Sequence, residues 1–130
     1  MPSNSEAWEP FVRQRAVLLT TYRRDGTPVG TAVNIAVDGD RAFVRTPHRT
    51  GKVKRIRNNP NIEIAPSTFL GKPTGRAIRV HARLLSGDEA DHAARALARK
   101  YRIIQGVLVP LAHRLTRSKT MHYELTPVEP

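Results

Sequence analysis

The 130-residue chain contains no cysteine, which excludes disulfides and thiolate metal sites. Aromatics are few, three Tyr, three Phe and one Trp, and no basic-aromatic motif of an RNA-binding sheet is present. No nucleic-acid partner is expected. No apolar run is long enough to cross a membrane, and the opening MPSNSEAWEPFVRQR lacks the basic-then-apolar order of a secretory signal. A cytoplasmic protein with no membrane partner is the expectation. The histidines, at 48, 81, 92, 113 and 122, show neither H-x-x-x-H nor H-x-H spacing, so no transition-metal site is expected. Also missing are a G-x-S-x-G elbow, a serine with a recognisable base, and paired carboxylates that would serve as acid and base. No catalytic side chain is therefore assigned. If the protein is an enzyme, a bound cofactor carries the chemistry while the chain supplies position and charge.

Acids are also scarce. The chain has 22 Lys and Arg against 11 Asp and Glu, a net charge of +11, which points to an anionic partner. The distribution is uneven: Arg41 to Ile62 and His92 to Tyr123 contain no acid at all. Length and composition fit one soluble domain spanning residues 1–130.

What is present reads mainly as β. AVLLTTYRRDGTPVGTAVNIAVDGDRAFVRTP predicts three short strands divided by the turns RDGTP and DGD. TGKVKRIRNNP predicts a short helix with Thr50 as N-cap and Asn59-Pro60 as its stop. NIEIAPSTF follows as a fourth strand and LGKPTG as a loop. RAIRVHARLL is a fifth strand with Ile78, Val80, Ala82 and Leu84 inward. SGDEADHAARALARKYR has capping-box spacing from Ser86 to Glu89 and a stripe of Ala90, Ala93, Ala94, Leu97, Ala98 and Tyr101. IIQGVLVPLAHRLT is helical in part by its pattern, and TMHYELTPV closes the sheet. Six or so antiparallel strands with two or three helices give an α+β, mostly β class: a small barrel with helices at its edges.

Two stretches point to a ligand. If Thr50 caps the short helix, the amides of Gly51, Lys52 and Val53 face out of a positive helix end, with Arg49 and Lys52 beside them. Such an end suits phosphate or carboxylate, and Gly51 lets an anion approach the backbone. On the helical wheel Val53 and Ile56 are buried while Lys54 and Arg55 face solvent. A solvated basic helix ending at Pro60 is the alternative. On PVGTAVNIAV, Val29, Thr31, Val33, Ile35 and Val37 form a bulky face, whereas Gly30, Ala32, Asn34 and Ala36 form one almost without volume. A flat ring, a helix or a second subunit would fit against that small face.

LLTTYRRDGTPVGTAVNIAVDGDRAFVRT, followed by GKVKRIRNNPNIEIAPST and GKPTGRAIRVHARLL, closely resembles the pyridoxamine 5′-phosphate oxidase-like superfamily, and within it the B-type flavin/deazaflavin-dependent oxidoreductases. The K-V-K-R-I-R-x-N-P helix is the most specific part. The resemblance implies a split β-barrel of the FMN-binding kind and a homodimer with two cofactor sites at its interface. It implies coenzyme F420 as cofactor, FMN being the alternative, and direct hydride transfer to an electron-poor small-molecule substrate. A carrier of the deazaflavin or a flavin without turnover is the other function, and members of the superfamily also bind FAD or haem. The cofactor-binding set implied is Gly30, Thr31, Ala32, Val33 and Asn34 on the strand, then Arg45 and Thr46, then Arg49, Thr50, Gly51, Lys52, Val53 and Arg55. Relatives often carry an aromatic or larger residue near Asn34. The surplus of cations favours the deazaflavin, whose polyglutamate tail adds carboxylates.

Overall fold

The computed structural model describes residues 4–48, 50–105 and 120–128. In chain order these form α1 (Asn4–Trp8) with a 3-10 turn (Glu9–Phe11), β1 (Val17–Tyr22), β2 (Pro28–Val33), β3 (Ile35–Asp38), β4 (Arg41–Pro47), α2 (Gly51–Asn58), β5 (Asn61–Pro66), β6 (Ile78–Leu84), α3 (Gly87–Gln105) and β7 (Thr120–Pro127). All pairings are antiparallel, in the order β2-β1-β5-β6-β7-β4-β3. The result is a curled seven-stranded half-barrel with three helices, the split-barrel architecture, α+β and mostly β.

Alternation in the sequence builds the barrel interior. Val17 and Leu19, Val33, Ala42 and Val44, Ile62 and Ile64, Val80 and Ala82, and Tyr123 and Leu125 all point inward and are buried. Each large aliphatic side chain among them contributes roughly 1.5–3 kcal/mol by leaving water. Trp8 and Phe11 pack into this core from the N-terminal helix and turn, with Trp8 Nε1 donating to Asp40 O at 3.0 Å. A second core lies outside the barrel, where Ala93, Leu97 and Tyr101 of α3 cover Ala36, Phe43 and Leu85.

The stretch expected to hold three strands holds four. The chain breaks at Asn34 because β2 and β3, though consecutive, occupy opposite edges of the sheet: β2 pairs with β1, and β3 with β4. One residue spans the split. Alternation continues across it, with both faces covered: Val33 and Ile35 enter the barrel core and Ala36 lies under α3. Side chains of α3 satisfy the backbone at this crossing, where Ile35 N donates to Tyr101 Oη at 3.0 Å and Lys100 Nζ donates to Ile35 O at 2.8 Å.

Two further details depart from expectation. Leu84 is 51% exposed, because β6 ends there and Leu85 takes the buried position, its N–H bonded to His122 O. On α3, Ala96 is buried and Ala98 exposed, because the contact runs along Ala93, Leu97 and Tyr101 at i, i+4, i+8. Glu89 is engaged by Arg83 at 2.7 Å. Of IIQGVLVPLAHRLT, the first three residues continue α3, and the remainder lies outside the described residues.

Candidate functional site

The start of α2 is built against β1 and the end of β4. Val53 and Ile56 bury one side of the helix, and Asn59 N–H closes it on Arg55 O before Pro60 prevents continuation. Thr50 holds the N-cap position in extended conformation (φ −108°, ψ 155°), but its side chain caps nothing. Its hydroxyl donates to Pro47 O at 3.1 Å and lies 3.3 Å from Thr46 Oγ1. The expected side-chain cap is absent because the chain turns back on Pro47. No hydroxyl of Thr50 competes for the first amides of α2.

Arg55 is the main correction. Its Nε donates to Thr21 Oγ1 at 2.6 Å, so it leaves the solvent side assigned to it and folds over the first turn of its own helix. A Cβ at Gly51 would lie only 2.5 Å from Arg55 Nη1. The glycine therefore makes room for a guanidinium, not directly for a ligand. Thr21 is fully buried, and it was missed; its signal is a hydroxyl at an inward position after Val17 and Leu19. Lys52 is half-buried, and burial first, then the Arg55 charge, holds its ammonium below the usual lysine range. Two cations thus crowd the positive end of a helix, an arrangement that binding an anion would relieve.

Thr46 is buried beside Thr50. Thr31 Oγ1 is buried with no hydrogen-bond partner among the described residues, a cost that a ligand or water would offset. Val53 contributes packing only. Gly30 and Ala32 present an exposed small face; a Cβ at Gly30 would meet Leu18 Cδ1 at 2.9 Å. The β5 to β6 loop runs beside this face, with Gly71 (φ +84°) near Leu18 and Ala32, and Phe69 and Leu70 58% and 97% exposed. Val33 points into the barrel, and half-buried Asn34 spans the split. Arg49 lies outside the described residues.

Arg45 does not join this group. Neighbouring residues of β4 face opposite ways: Thr46 points toward α2, whereas Arg45 lies over the Tyr101 ring, its Cζ 5.7 Å from the centroid. Tyr101 and Lys100 were not singled out for a site, and nothing in the helical stripe distinguished Tyr101 from an ordinary core residue. A groove of about 960 Å³ at the other end of α2, lined by Tyr22, Arg23, Arg24, Asn58, Glu63 and Arg79 among others, contains none of the predicted residues. Among the described residues no group of three or more His, Cys, Asp or Glu is placed to hold a metal, and no helix is long and apolar enough to cross a membrane.

A family model described as pyridoxamine 5′-phosphate oxidase matches residues 5–125. None of the curated proteins matches the chain. Solved structures share the fold at low identity. A Bacteroides thetaiotaomicron protein assigned to 5-nitroimidazole antibiotic resistance is 14% identical with a TM-score of 0.70, covering 99% of this chain and 82% of its own. The conserved hypothetical protein Rv2991 from Mycobacterium tuberculosis is 19% identical with a TM-score of 0.68 over the same shares, 99% and 82%. The haem storage protein HutZ from Vibrio cholerae is 15% identical with a TM-score of 0.67, covering 100% and 93%.

Proposed function

The chain belongs to the pyridoxamine 5′-phosphate oxidase family, and from that premise we propose that it is an oxidoreductase using coenzyme F420. In this reading it works as a homodimer and passes a hydride between the deazaflavin and an electron-poor small molecule. The observation that carries the reading is the pair of cations at the first turn of α2. Arg55 is tied to Thr21 and Lys52 is half-buried, and neither is in a salt bridge with a carboxylate among the described residues.

The residues present fit a phosphorylated planar cofactor. Lys52, Arg55 and the amides of Gly51 to Val53 would hold the phosphate, with Thr50 and Thr46 beside it. Gly30 and Ala32 would offer the ring a small outer face beside Leu18, whereas the unpaired Thr31 hydroxyl points the opposite way, to the barrel side of β2 that Val33 shares. When bound, the deazaflavin supplies the hydride. The chain's own part is to bind and orient: Thr21 fixes Arg55, and Gly51 admits the guanidinium. A second copy packed on β2 and the Phe69-Leu70 loop would cover the exposed face and exclude water. The net charge of +11 supports F420 over FMN, since its tail carries additional carboxylates.

A second reading, storage or carriage of the cofactor without turnover, is favoured by the site's makeup of hydroxyls, cations and small residues with no acid-base pair. Stopped-flow mixing of the protein and reduced F420 with a quinone such as menadione separates the two. Recovery of oxidised deazaflavin absorbance at a rate proportional to protein supports the oxidoreductase. Binding without accelerated oxidation supports the carrier, and no binding of either F420 or FMN sinks both.

A further inference from the structure

We propose that a pocket between α2 and strands β6 and β7 binds a single-ring aromatic carboxylate, its ring held by apolar walls and its charge by Arg57 and the Tyr123 hydroxyl. The pocket has a volume of about 210 Å³. Val53 and Ile56 line it from α2, Ala82 and Leu84 from β6, and Pro60 from the link between α2 and β5. These walls are fixed. Val53, Ile56 and Ala82 are buried, Ala82 N donates to Pro60 O at 2.9 Å, and Leu84 pairs with Tyr123 across the two strands. Leu84, 51% exposed, keeps an apolar edge open to solvent.

Size and chemistry together choose the ligand. An apolar cavity of about 150 Å³ is enough to take up benzene, so about 210 Å³ admits one aromatic ring with a small substituent. It leaves no room to enclose a three-ring system. Among the described residues the lining has two polar side chains, Arg57 and Tyr123, and they act on one another. Burial raises the Tyr123 hydroxyl above its ordinary value, and the Arg57 charge opposes that rise, so the two groups lie within each other's field at one pocket. Tyr123 is 3% exposed, yet no described hydrogen bond engages its hydroxyl. A hydroxyl on so buried a side chain generally has a partner, and the pocket is where one can be supplied. No described carboxylate pairs with Arg57 either. A carboxylate at the pocket would accept from both donors, the guanidinium bond being charge-assisted. Arg57 also stands apart from the cations at the start of α2. It follows Arg55 by more than half a helical turn and shares the side of Val53, four residues before it, whereas Arg55 reaches Thr21 on β1. The site is therefore separate from the one proposed for the cofactor phosphate.

The test is a titration of the full-length protein with sodium benzoate at neutral pH, followed by the backbone amide NMR spectrum, with sodium acetate and benzyl alcohol as separate arms. Benzoate is expected to shift the amides of Arg57, Ala82, Leu84 and Tyr123 saturably in the millimolar range. It binds more tightly than either comparator, since acetate lacks the ring and benzyl alcohol the charge. Arg57→Gln, at an exposed position, keeps the fold and lowers benzoate affinity about tenfold while leaving that for benzyl alcohol as it was. Tyr123→Phe lowers benzoate affinity in the same direction, and Lys52→Ala does not change it. No saturable shift with benzoate, equal affinity for acetate, or unchanged benzoate affinity in Arg57→Gln overturns the site. Loss of the shifts in Lys52→Ala overturns it too, by assigning the anion to the start of α2. Each of these results leaves the cofactor reading standing.

Discussion

Gly51 and Arg55 show how one missing methyl shapes a site. Because the position of a Cβ at Gly51 lies 2.5 Å from Arg55 Nη1, Gly51→Ala pushes the guanidinium off the first turn and strains its 2.6 Å bond to Thr21. The arginine end is flexible, so the fold tolerates the change. The expected outcome is a Tm within a few degrees of wild type with F420 affinity lowered about tenfold, roughly 1.4 kcal/mol, by fluorescence titration; Thr21→Val lowers affinity in the same direction. Lys52 adds a pH dependence. Its ammonium is held below the usual range, so anion affinity declines with rising pH earlier than an ordinary lysine would allow. A titration repeated through the alkaline range checks this, and Lys52→Arg abolishes the decline.

At the level of elements, α3 fastens the split of the barrel. Tyr101→Phe keeps the ring but leaves the Ile35 amide and the Arg15 carbonyl without their partner. The expected loss is about 1–3 kcal/mol in chemical denaturation, with local amide exchange speeding up around Asn34. On the outer face, Glu124 ties Arg41 of β4 to Arg83 of β6 at 3.0 and 2.9 Å. Hydrogen bonds from Arg41, then from Arg83, hold its carboxyl below the usual value of 4.5, against burial that raises it. Its stabilisation is therefore full above about 4.5 and disappears as pH falls through the lower folded value. Glu124→Gln is expected to be less stable at neutral pH and to lose less on acidification, read from thermal melts at several pH values.

Most of these elements were legible because their signals are local. Alternation located β1, β5, β6 and β7, the Asp-Gly turns located the hairpins, and Asn59-Pro60 located the end of α2. The break at Asn34 was not legible, since β2 and β3 together keep an unbroken small-large alternation through Ala36, and only pairing at opposite sheet edges divides them. The destinations of Arg55 and Arg45 were equally hidden. A helical wheel cannot foresee a buried hydroxyl on β1 reaching an arginine, nor strand order alone show which face of β4 lies beneath α3.

Taken as a whole molecule, the protein concentrates its positive charge where carboxylates are missing, from Arg41 to Ile62 and from His92 to Tyr123. The fold resolves that charge into distinct places: the Arg83, Arg41 and Glu124 cluster is neutralised from within, whereas Lys52 with Arg55 has no carboxylate partner among the described residues. The proposed reading is that the open cations at the first turn of α2 and the small, exposed face on β2 receive a nucleotide-like cofactor. Calorimetric titration of F420 into the wild type and into Lys52→Ala, at low and high salt, tests that claim most directly. The account predicts micromolar or tighter binding at low salt, weakening as salt screens the charges, and at least a tenfold loss in Lys52→Ala. No heat of binding at low salt, or equal affinity in the two proteins, would contradict it.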